Sequence, residues 1–325
     1  MIITRTPFRI SFAGGGTDIN TYYKVKDYGA VVSATINKYM YITINRRFDD
    51  TIRISYANTE IVESVDEIKH DIVRECLQMV GIKKGIEITS IADIPAGTGL
   101  GSSSSFTVGL LNALYTYIGK QRSAHELAVK ACEIEINRLK EPIGKQDQFA
   151  AAYGGLNYYR FNKDESVEYE AIRLSALDLA KINNKLMMFY TGVTRNARDI
   201  LDNQKRKTPS SLDRLNCMKN QAEIFKKDLL FRGVTDNLGN ILHEGWLQKK
   251  LISDGISNSY IDKIYENAKA AGAVGGKILG AGGGGFLLLY CNEEKQEIVR
   301  EAIGLKEIDF RITNHGSRVV YIGED

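Results

Sequence analysis

The residue types best suited to chemistry form a glycine- and serine-rich segment, PAGTGLGSSSS, at positions 95–105. A predicted strand ends just before it, near Ile91, and a predicted helix begins among its serines. Glycines let a backbone approach an anion closely, and a helix start offers unpaired N–H groups with about half a positive charge. The segment therefore predicts a phosphate cradle, formed by Pro95, Gly97, Thr98, Gly99, Leu100, Gly101, Ser102, Ser103 and Ser104.

Two alternatives to this phosphate loop can be weighed. It is not a Walker A loop, because no lysine follows its last glycine. It could be an ordinary glycine-rich turn with a serine N-cap, but four consecutive serines exceed what capping needs. A bound phosphate is the favoured interpretation.

A second candidate is Glu135, on a helix predicted over residues 124–139. Ser123 and Glu126 predict a capping box at its start. A helical wheel of about 100° per residue places Glu135 in the middle of an apolar face. A carboxylate there is unfavourable unless something compensates its charge. Two partners are open: a basic side chain from elsewhere, or a hard cation such as Mg²⁺, which takes oxygen ligands beside phosphates.

Two aspartates lie in loops next to glycines. Asp147 lies in the segment PIGKQDQ, residues 142–148, which opens a short alanine-rich helix, and its ordinary role there would be an N-cap. Asp18 ends the segment PFRISFAGGGTD, residues 7–18, which also contains Arg9. Asp18 either accepts hydrogen bonds from sugar hydroxyls or closes an Asx turn.

A third glycine cluster, residues 280–285, formally satisfies GxGxxG. A dinucleotide-binding loop requires a helix directly after the glycines, whereas Phe286-Leu-Leu-Leu-Tyr290 is typical of a strand. We therefore interpret these glycines as a hairpin that approaches a ligand or another loop.

The elements that must position these residues alternate between strand-like and helix-like stretches. Strands are predicted at 2–12, 31–48, 51–57, 85–91, 156–161, 186–191, on both sides of the glycines in 277–290, and at 318–322. Helices are predicted at 65–80, from 102–105 to 118, and at 124–139, 211–231, 237–251, 259–271 and 293–302. The length of 325 residues predicts two domains, 1–180 and 181–325, although no Pro- or Ser-rich linker marks the boundary.

Composition excludes several classes of protein. Lys and Arg number 43 against 40 Asp and Glu, a net charge of +3, so no bulk field favours nucleic acid or a membrane as partner. The four cysteines and four histidines are scattered, which argues against a disulfide framework, a zinc site or a Ser-His-Asp triad. No apolar run approaches 18 residues. These features predict a cytoplasmic protein with reduced thiols.

Taken together, the three glycine-rich segments resemble, in order, the three motifs of the GHMP kinase family: residues 7–18, 95–105 and 277–285. The resemblance implies an α+β two-domain fold, with an N-terminal domain of the ribosomal protein S5 domain 2-like type and a ferredoxin-like C-terminal domain. It also implies an ATP-dependent sugar kinase that uses Mg²⁺ and binds the nucleotide between the domains.

The same resemblance assigns roles to single residues. Ser103 and Glu135 match the ligands of the magnesium ion, Asp147 matches the catalytic aspartate that accepts the acceptor's proton, and Arg9 matches the basic residue paired with it. Six residues of the first and third glycine clusters are assigned to the acceptor: Gly15, Gly16, Thr17, Asp18, Gly282 and Gly283.

Residues 5–18 and 141–148 look most like a branch of the family that phosphorylates the anomeric hydroxyl of a heptose 7-phosphate, for nucleotide-activated heptose and surface polysaccharide synthesis. The acceptor's own phosphate then needs cations, for which Lys145, Arg195 and Arg198 are candidates, unless these side chains form ordinary surface ion pairs. A kinase of an unphosphorylated sugar such as fucose is the closest alternative. A non-catalytic sugar sensor is disfavoured because Arg9, Ser103, Glu135 and Asp147 are all present.

Overall fold

The computed structural model describes residues 1–193 and 197–323. Its strands are β1 (Ile2–Ala13), β2 (Tyr28–Arg46), β3 (Ile52–Ser55), β4 (Thr59–Val62), β5 (Ile86–Ala92), β6 (Leu156–Asn162), β7 (Val167–Ala171), β8 (Leu186–Tyr190), β9 (Gly275–Ile278), β10 (Phe286–Tyr290), β11 (Lys306–Glu307) and β12 (Arg318–Ile322). Its α-helices are α1 (Asn20–Tyr23), α2 (Asp71–Val80), α3 (Ser102–Tyr117), α4 (Ala124–Cys132), α5 (Gln146–Tyr153), α6 (Ala176–Lys185), α7 (Ala197–Lys207), α8 (Leu212–Phe231), α9 (Asn237–Lys250), α10 (Ser259–Ala270) and α11 (Gln296–Ile303). Short 3₁₀ turns span Val65–Glu67, Thr208–Ser211 and Glu293–Lys295, and a π-helix spans Glu133–Arg138.

The larger sheet is organised around the long strand β2. Its order is β12-β1-β2-β5-β3-β4, with β6 and β7 attached beside β2. Residues 28–34 of β2 pair with β6 and residues 40–46 pair with β5, so one strand serves two neighbours in succession. All these pairs are antiparallel except β3 with β5.

Strand β1 is the element that carries Arg9 into the interior. Its first residues alternate between buried and partly exposed, but every residue from Thr6 to Ala13 is buried. Helices α3, α8 and α9 all contact this strand. A charged side chain at position 9 therefore lies inside the protein and must find its partners there.

The smaller sheet has the order β11-β8-β10-β9 and is antiparallel throughout. It uses residues between 186 and 307, whereas the larger sheet uses residues up to 171 and then β12, which pairs with β1 from Ile2↔Ile322 onward. The closing strand is thus confirmed in its bounds, but it extends the first sheet. The division into domains 1–180 and 181–325 remains a prediction.

The helix that carries Glu135 differs in one respect from its prediction. The capping box of Ser123 and Glu126 is confirmed at the start of α4. After Cys132, however, the α-helix gives way to the π-helix Glu133–Arg138, a rare conformation that is frequent at functional sites. Glu135 is nonetheless fully buried, as the wheel predicted.

The other helices largely follow the predicted pattern. Helices α8, α9 and α10 are confirmed to within one residue at each end. The helix predicted over residues 65–80 is divided into a 3₁₀ turn, Val65–Glu67, and α2. None of the helices within the described residues is long and apolar enough to cross a membrane.

Candidate active site

The phosphate loop opens α3 and lines a cavity of about 400 Å³. Its cavity-facing residues are Gly97, Gly99, Gly101, Ser102, Ser103 and Ser104. Gly99 and Gly101 have φ of 85° and 74°, which favours glycine. A Cβ at Gly99 would lie 2.5 Å from the carbonyl oxygen of Leu279, so no larger residue fits.

The other three residues predicted in this loop have supporting roles. Pro95 is exposed outside the cavity lining, and its carbonyl accepts a hydrogen bond from the Thr98 hydroxyl at 2.9 Å. The Leu100 side chain is buried, and its carbonyl accepts the backbone N–H of Arg9 at 3.1 Å. These bonds fix the loop's shape and join it to β1.

The glycine hairpin of residues 279–285 packs directly on the phosphate loop. A Cβ at Gly280 would lie 2.6 Å from the Cα of Gly99, and one at Gly285 would lie 2.3 Å from the Thr98 carbonyl oxygen. The interpretation of this segment as a hairpin that approaches another loop is supported by this contact. Gly280 and Ala281 line the cavity.

Gly282 and Gly283, predicted to bind the acceptor, face the segment between α9 and α10. The N–H of Gly283 donates to the Ile256 carbonyl at 2.8 Å, and a Cβ at Gly282 would lie 2.6 Å from the same oxygen. Neither glycine is part of the cavity lining.

Arg9 and Asp147 both line the cavity and form an ion pair there. Arg9 Nε and Nη2 donate to the two carboxylate oxygens of Asp147 at 2.8 Å and 2.7 Å, a bidentate ion pair. Arg9 Nη1 also donates to the Gly99 carbonyl at 2.6 Å, so one guanidinium connects the aspartate to the phosphate loop. Asp147 lies in the first turn of α5, and its side chain is 25% exposed.

Glu135 lies beside the start of α3 and has no basic partner among the described residues. Its oxygens accept hydrogen bonds from the Ser103 hydroxyl at 2.6 Å and from the Gln148 amide at 2.7 Å. Burial raises its pKa to about 7, while the hydrogen bonds from Ser103 and Gln148 oppose the shift. The first of the two open partners, an arginine or lysine, is therefore not what the described structure provides.

These contacts fit a hard cation. A buried carboxylate and a hydroxyl 2.6 Å apart at the edge of the phosphate loop are oxygen ligands of the type that Mg²⁺ takes. A positive ion there would offset the cost of burying the Glu135 charge. No cluster of three or more His, Cys, Asp or Glu within the described residues could hold a metal by itself, so phosphate oxygens would have to complete the site.

The predicted acceptor segment from Gly15 to Asp18 is divided between the cavity and the core. Gly15, Gly16 and Asp18 line the cavity. Thr17 is fully buried, and its hydroxyl donates to the carbonyls of Gly14 and Ala30 at 2.8 Å and 2.9 Å, which fixes the turn. That Thr17 contacts the acceptor stays a prediction.

Asp18 joins this segment to the loop before α5. Its oxygens accept the N–H groups of Gly16 at 3.0 Å and Gln146 at 3.2 Å, which is not the pattern of an Asx turn. Burial and the nearby Asp147 charge raise the pKa of Asp18, and the bonds from Gln146 and Gly16 oppose this. Gly144 permits the contact, since a Cβ there would lie 2.0 Å from the Asp18 carboxylate.

The three candidate cations for an acceptor phosphate fall in different places. Arg198 lines the cavity, and Nη1 donates to Glu141 at 3.2 Å. Lys145 is not in the cavity lining; it forms an ion pair with Glu165 and donates to the Glu165 carbonyl at 2.8 Å. Arg195 lies outside the described residues.

Three residues of the site escaped the sequence analysis: Gln148, Lys249 and Lys277. Lys249 in α9 and Lys277 in β9 line the cavity, and each is only 4% exposed. A usable signal existed for Lys249, because it continues the buried helical stripe of Leu242 and Trp246 at spacings of four and three residues. Gln148 is an uncharged residue in a short helix and carried no such signal.

Comparison with known proteins matches two family models to the chain. One, described as GHMP kinases N terminal domain, matches residues 67–155, and the other, GHMP kinases C terminal, matches residues 227–307. A D-glycero-alpha-D-manno-heptose 7-phosphate kinase from Campylobacter jejuni is 33% identical over 97% of both chains.

Solved structures show the same likeness. A D-glycero-D-manno-heptose 1-phosphate kinase from Bacteroides thetaiotaomicron superposes with a TM-score of 0.83 at 25% identity and covers all of both chains. A putative sugar kinase from Campylobacter jejuni superposes with a TM-score of 0.80 at 31% identity, over 99% of this chain and 98% of its own.

The chain belongs to the GHMP kinase family. The predictions of the family's α+β fold and of an ATP-dependent sugar kinase are thereby confirmed.

Proposed function

We propose that this kinase transfers the terminal phosphoryl group of ATP to the anomeric hydroxyl of D-glycero-D-manno-heptose 7-phosphate, giving the 1,7-bisphosphate. The observation that carries the proposal is the Arg9–Asp147 pair, which joins a proton acceptor to the phosphate loop through Gly99. The heptose 7-phosphate kinase at 33% identity supports the choice of acceptor. Such a product would serve the synthesis of nucleotide-activated heptose for surface polysaccharide.

Catalysis by this site consists of positioning and proton transfer. Asp147 accepts the proton of the attacking hydroxyl while the acceptor oxygen bonds to phosphorus and ADP leaves. The two hydrogen bonds from Arg9 hold the carboxylate in one orientation, and the guanidinium faces the group that moves. Because residues of the protein itself form this ion pair, the carboxylate is oriented by fixed partners rather than by solvent.

The nucleotide's phosphates would lie on the N–H groups between Gly97 and Ser104, at the start of α3. Ser103 and Glu135 would hold Mg²⁺ beside them. When bound, the ion neutralises negative charge on the phosphates.

The acceptor would occupy the side of the cavity formed by Gly15, Gly16 and Asp18, whose carboxylate can accept sugar hydroxyls. Arg198, and Arg195 three residues before it, are the candidates for the acceptor's phosphate. Lys145 can take part only if it leaves Glu165.

A second candidate acceptor is D-glycero-D-manno-heptose 1-phosphate. The relative from Bacteroides thetaiotaomicron is named for that activity, and phosphoryl transfer would then fall at the other end of the sugar. An unphosphorylated sugar such as fucose is a third possibility within the same chemistry.

Phosphorus NMR of products made from ATP and single acceptors distinguishes these cases. The panel comprises heptose 7-phosphate, heptose 1-phosphate, free heptose, fucose and mevalonate. With heptose 7-phosphate we expect a new signal coupled to the anomeric proton. With each of the other acceptors we expect turnover at least tenfold lower than with heptose 7-phosphate. Turnover of heptose 1-phosphate or an unphosphorylated sugar at an equal or greater rate would contradict the proposed acceptor.

A further inference from the structure

Two lysines of the second half of the chain lie in the cavity and have no role in the mechanism above. Lys249 lies in the last turn of α9, and its ammonium donates to the Gly280 carbonyl. Lys277 in β9 donates to the Phe12 carbonyl at 3.3 Å. Within residues 1–193 and 197–323, neither forms an ion pair with a carboxylate. Buried ammonium groups with only carbonyl partners are unfavourable, so these two are candidates for binding an anion.

Their surroundings make the imbalance of charge larger. Burial lowers the pKa of Lys249 to about 8, and the nearby Arg9 charge adds to the shift, while Asp18 and Asp147 oppose it. Burial also lowers the pKa of Lys277, and the charges of Lys249 and Arg9 contribute. Arg9 already has Asp147 as its partner. A multiply charged anion between the lysines and Arg9 would relieve this repulsion.

The backbone contacts locate Lys249 at the reacting end of the phosphate loop. Its hydrogen-bond acceptor, Gly280, packs on Gly99. The Gly99 carbonyl in turn accepts Arg9 Nη1, and Arg9 holds Asp147. Lys249 therefore lies in the same cavity as Arg9 and Asp147, close enough for their charges to affect its pKa.

Lys277 lies in the same cavity and contacts strand β1. Phe12, whose carbonyl it contacts, follows Arg9 by three residues in β1, next to the glycines that form the acceptor side of the cavity. The two ammonium groups thus share one cavity with Arg9, and the charges of Lys249 and Arg9 both act on Lys277.

We propose that Lys249 and Lys277 are catalytic residues that bind the phosphoryl group while it passes from ATP to the acceptor. The acceptor oxygen forms a bond to phosphorus, the bond from phosphorus to the bridging oxygen of ADP breaks, and the proton goes to Asp147. The lysines stay protonated and donate to the non-bridging oxygens of the moving group. The inference rests on the kinase reaction and holds for whichever sugar is the acceptor.

The test compares Lys249→Met and Lys277→Met with Lys250→Met. Lys250 is the adjacent lysine of α9, pairs with Asp262 at 2.9 Å and is outside the cavity lining, so it is a matched control. Steady-state rates are measured with the acceptor that the wild-type enzyme uses, which the product analysis above identifies independently. If heptose 7-phosphate proves wrong, the same variants are assayed with the correct sugar.

We expect each cavity variant to lower kcat by roughly 100-fold and to change the acceptor's KM less than threefold. We also expect binding of ADP with aluminium fluoride, a mimic of the phosphoryl group in transit, to weaken by a similar factor while binding of ADP alone is unchanged. Lys250→Met should behave like the wild type in both assays.

Two results would overturn the inference. If the variants raise the KM of a phosphorylated acceptor but leave kcat intact, the lysines hold the acceptor's own phosphate. If kcat and aluminium fluoride binding are both unchanged, the lysines are structural. Lys249→Arg, which keeps the charge, should retain more activity than Lys249→Met, and circular dichroism of each variant shows that loss of activity does not reflect unfolding.

Discussion

Both halves of the chain contribute charged side chains to one cavity, but these side chains differ in the kind of hydrogen-bond partner that they have. In the first half, Asp147 is held by Arg9, and Glu135 is held by Ser103 and Gln148. In the second half, Arg198 pairs with Glu141, but Lys249 and Lys277 bond, within the described residues, only to backbone carbonyls. Asp147 and Glu135 thus have side-chain hydrogen-bond donors, whereas the described residues give the two lysines no side-chain partner.

This difference suggests a division of labour. Groups that must keep a fixed orientation, such as a proton acceptor, are best held by other side chains before the substrates arrive. Groups that bind a multiply charged ligand can remain without counter-charge until the ligand supplies it. The uncompensated charge then lowers the stability of the ligand-free protein. When the ligand binds, its charge removes that cost, and the free energy regained strengthens binding.

The largest effect is expected for Asp147→Asn. The asparagine amide cannot take up the proton of the attacking sugar hydroxyl. We therefore expect kcat to fall about 1,000-fold, within the usual range for loss of a general base. The KM for ATP should change little, because the phosphate loop is untouched. Steady-state kinetics measure both quantities.

Asp164→Asn is the control for this change, since Asp164 is exposed on the turn where it bonds to Ser166. Near-normal turnover by a folded Asp147→Asn protein would remove the base assignment.

A smaller effect is expected for the stability of Lys249→Met. Burial lowers the pKa of Lys249 from 10.5 to about 8, so the folded protein at pH 7 carries the cost of a buried charge that methionine would remove. We expect the ligand-free variant to be more stable by about 2 kcal/mol at pH 7, measured by urea unfolding.

The pH dependence provides the check on this prediction. Between pH 8 and 10.5 the unfolded chain binds the proton that the folded chain has released, so the stability of the wild type rises with pH. The advantage of the variant should therefore shrink over that interval. A constant difference, or a loss of stability at pH 7, would contradict the unmet charge at this position.

The smallest effect separates the two described candidates for the acceptor's phosphate. Arg198 lines the cavity and Lys145 is paired with Glu165 outside it. We expect Arg198→Ala to raise the KM for the phosphorylated sugar about tenfold, as the loss of one charge-assisted hydrogen bond would, without affecting the KM for ATP. Lys145→Ala should change neither KM by more than twofold. The opposite order would place the phosphate beside Glu165.

Sequence reasoning succeeded where a local pattern fixes the outcome. The apolar period of residues 124–139 and the capping box at their start sufficed to find Glu135 on a buried face. The serine-rich segment sufficed to place the start of α3. The helices α8 to α10 have clear apolar periods and were predicted nearly to the residue.

It failed where the answer depends on distant parts of the chain. The partners of β12 are residues at the other end of the sequence, and no local pattern states that pairing. Lys277 lies in a short, fully buried strand next to glycines, and its burial follows from packing against β1 and the phosphate loop. The helix α7 was not predicted, because its composition is strongly polar and ends in Lys205, Arg206 and Lys207.

The central claim is that Glu135, which is buried and has no basic partner among the described residues, is a ligand of the divalent cation that accompanies ATP. Titration of Mn²⁺ in the presence of a non-hydrolysable ATP analogue, followed by electron paramagnetic resonance of the free ion, tests it most directly. Glu133→Gln is the matched control, because Glu133 lies in the same π-helix and pairs with Arg138. We predict that Glu135→Gln weakens Mn²⁺ binding at least tenfold and that Glu133→Gln does not change it. Equal affinity in the wild type and Glu135→Gln would contradict the claim.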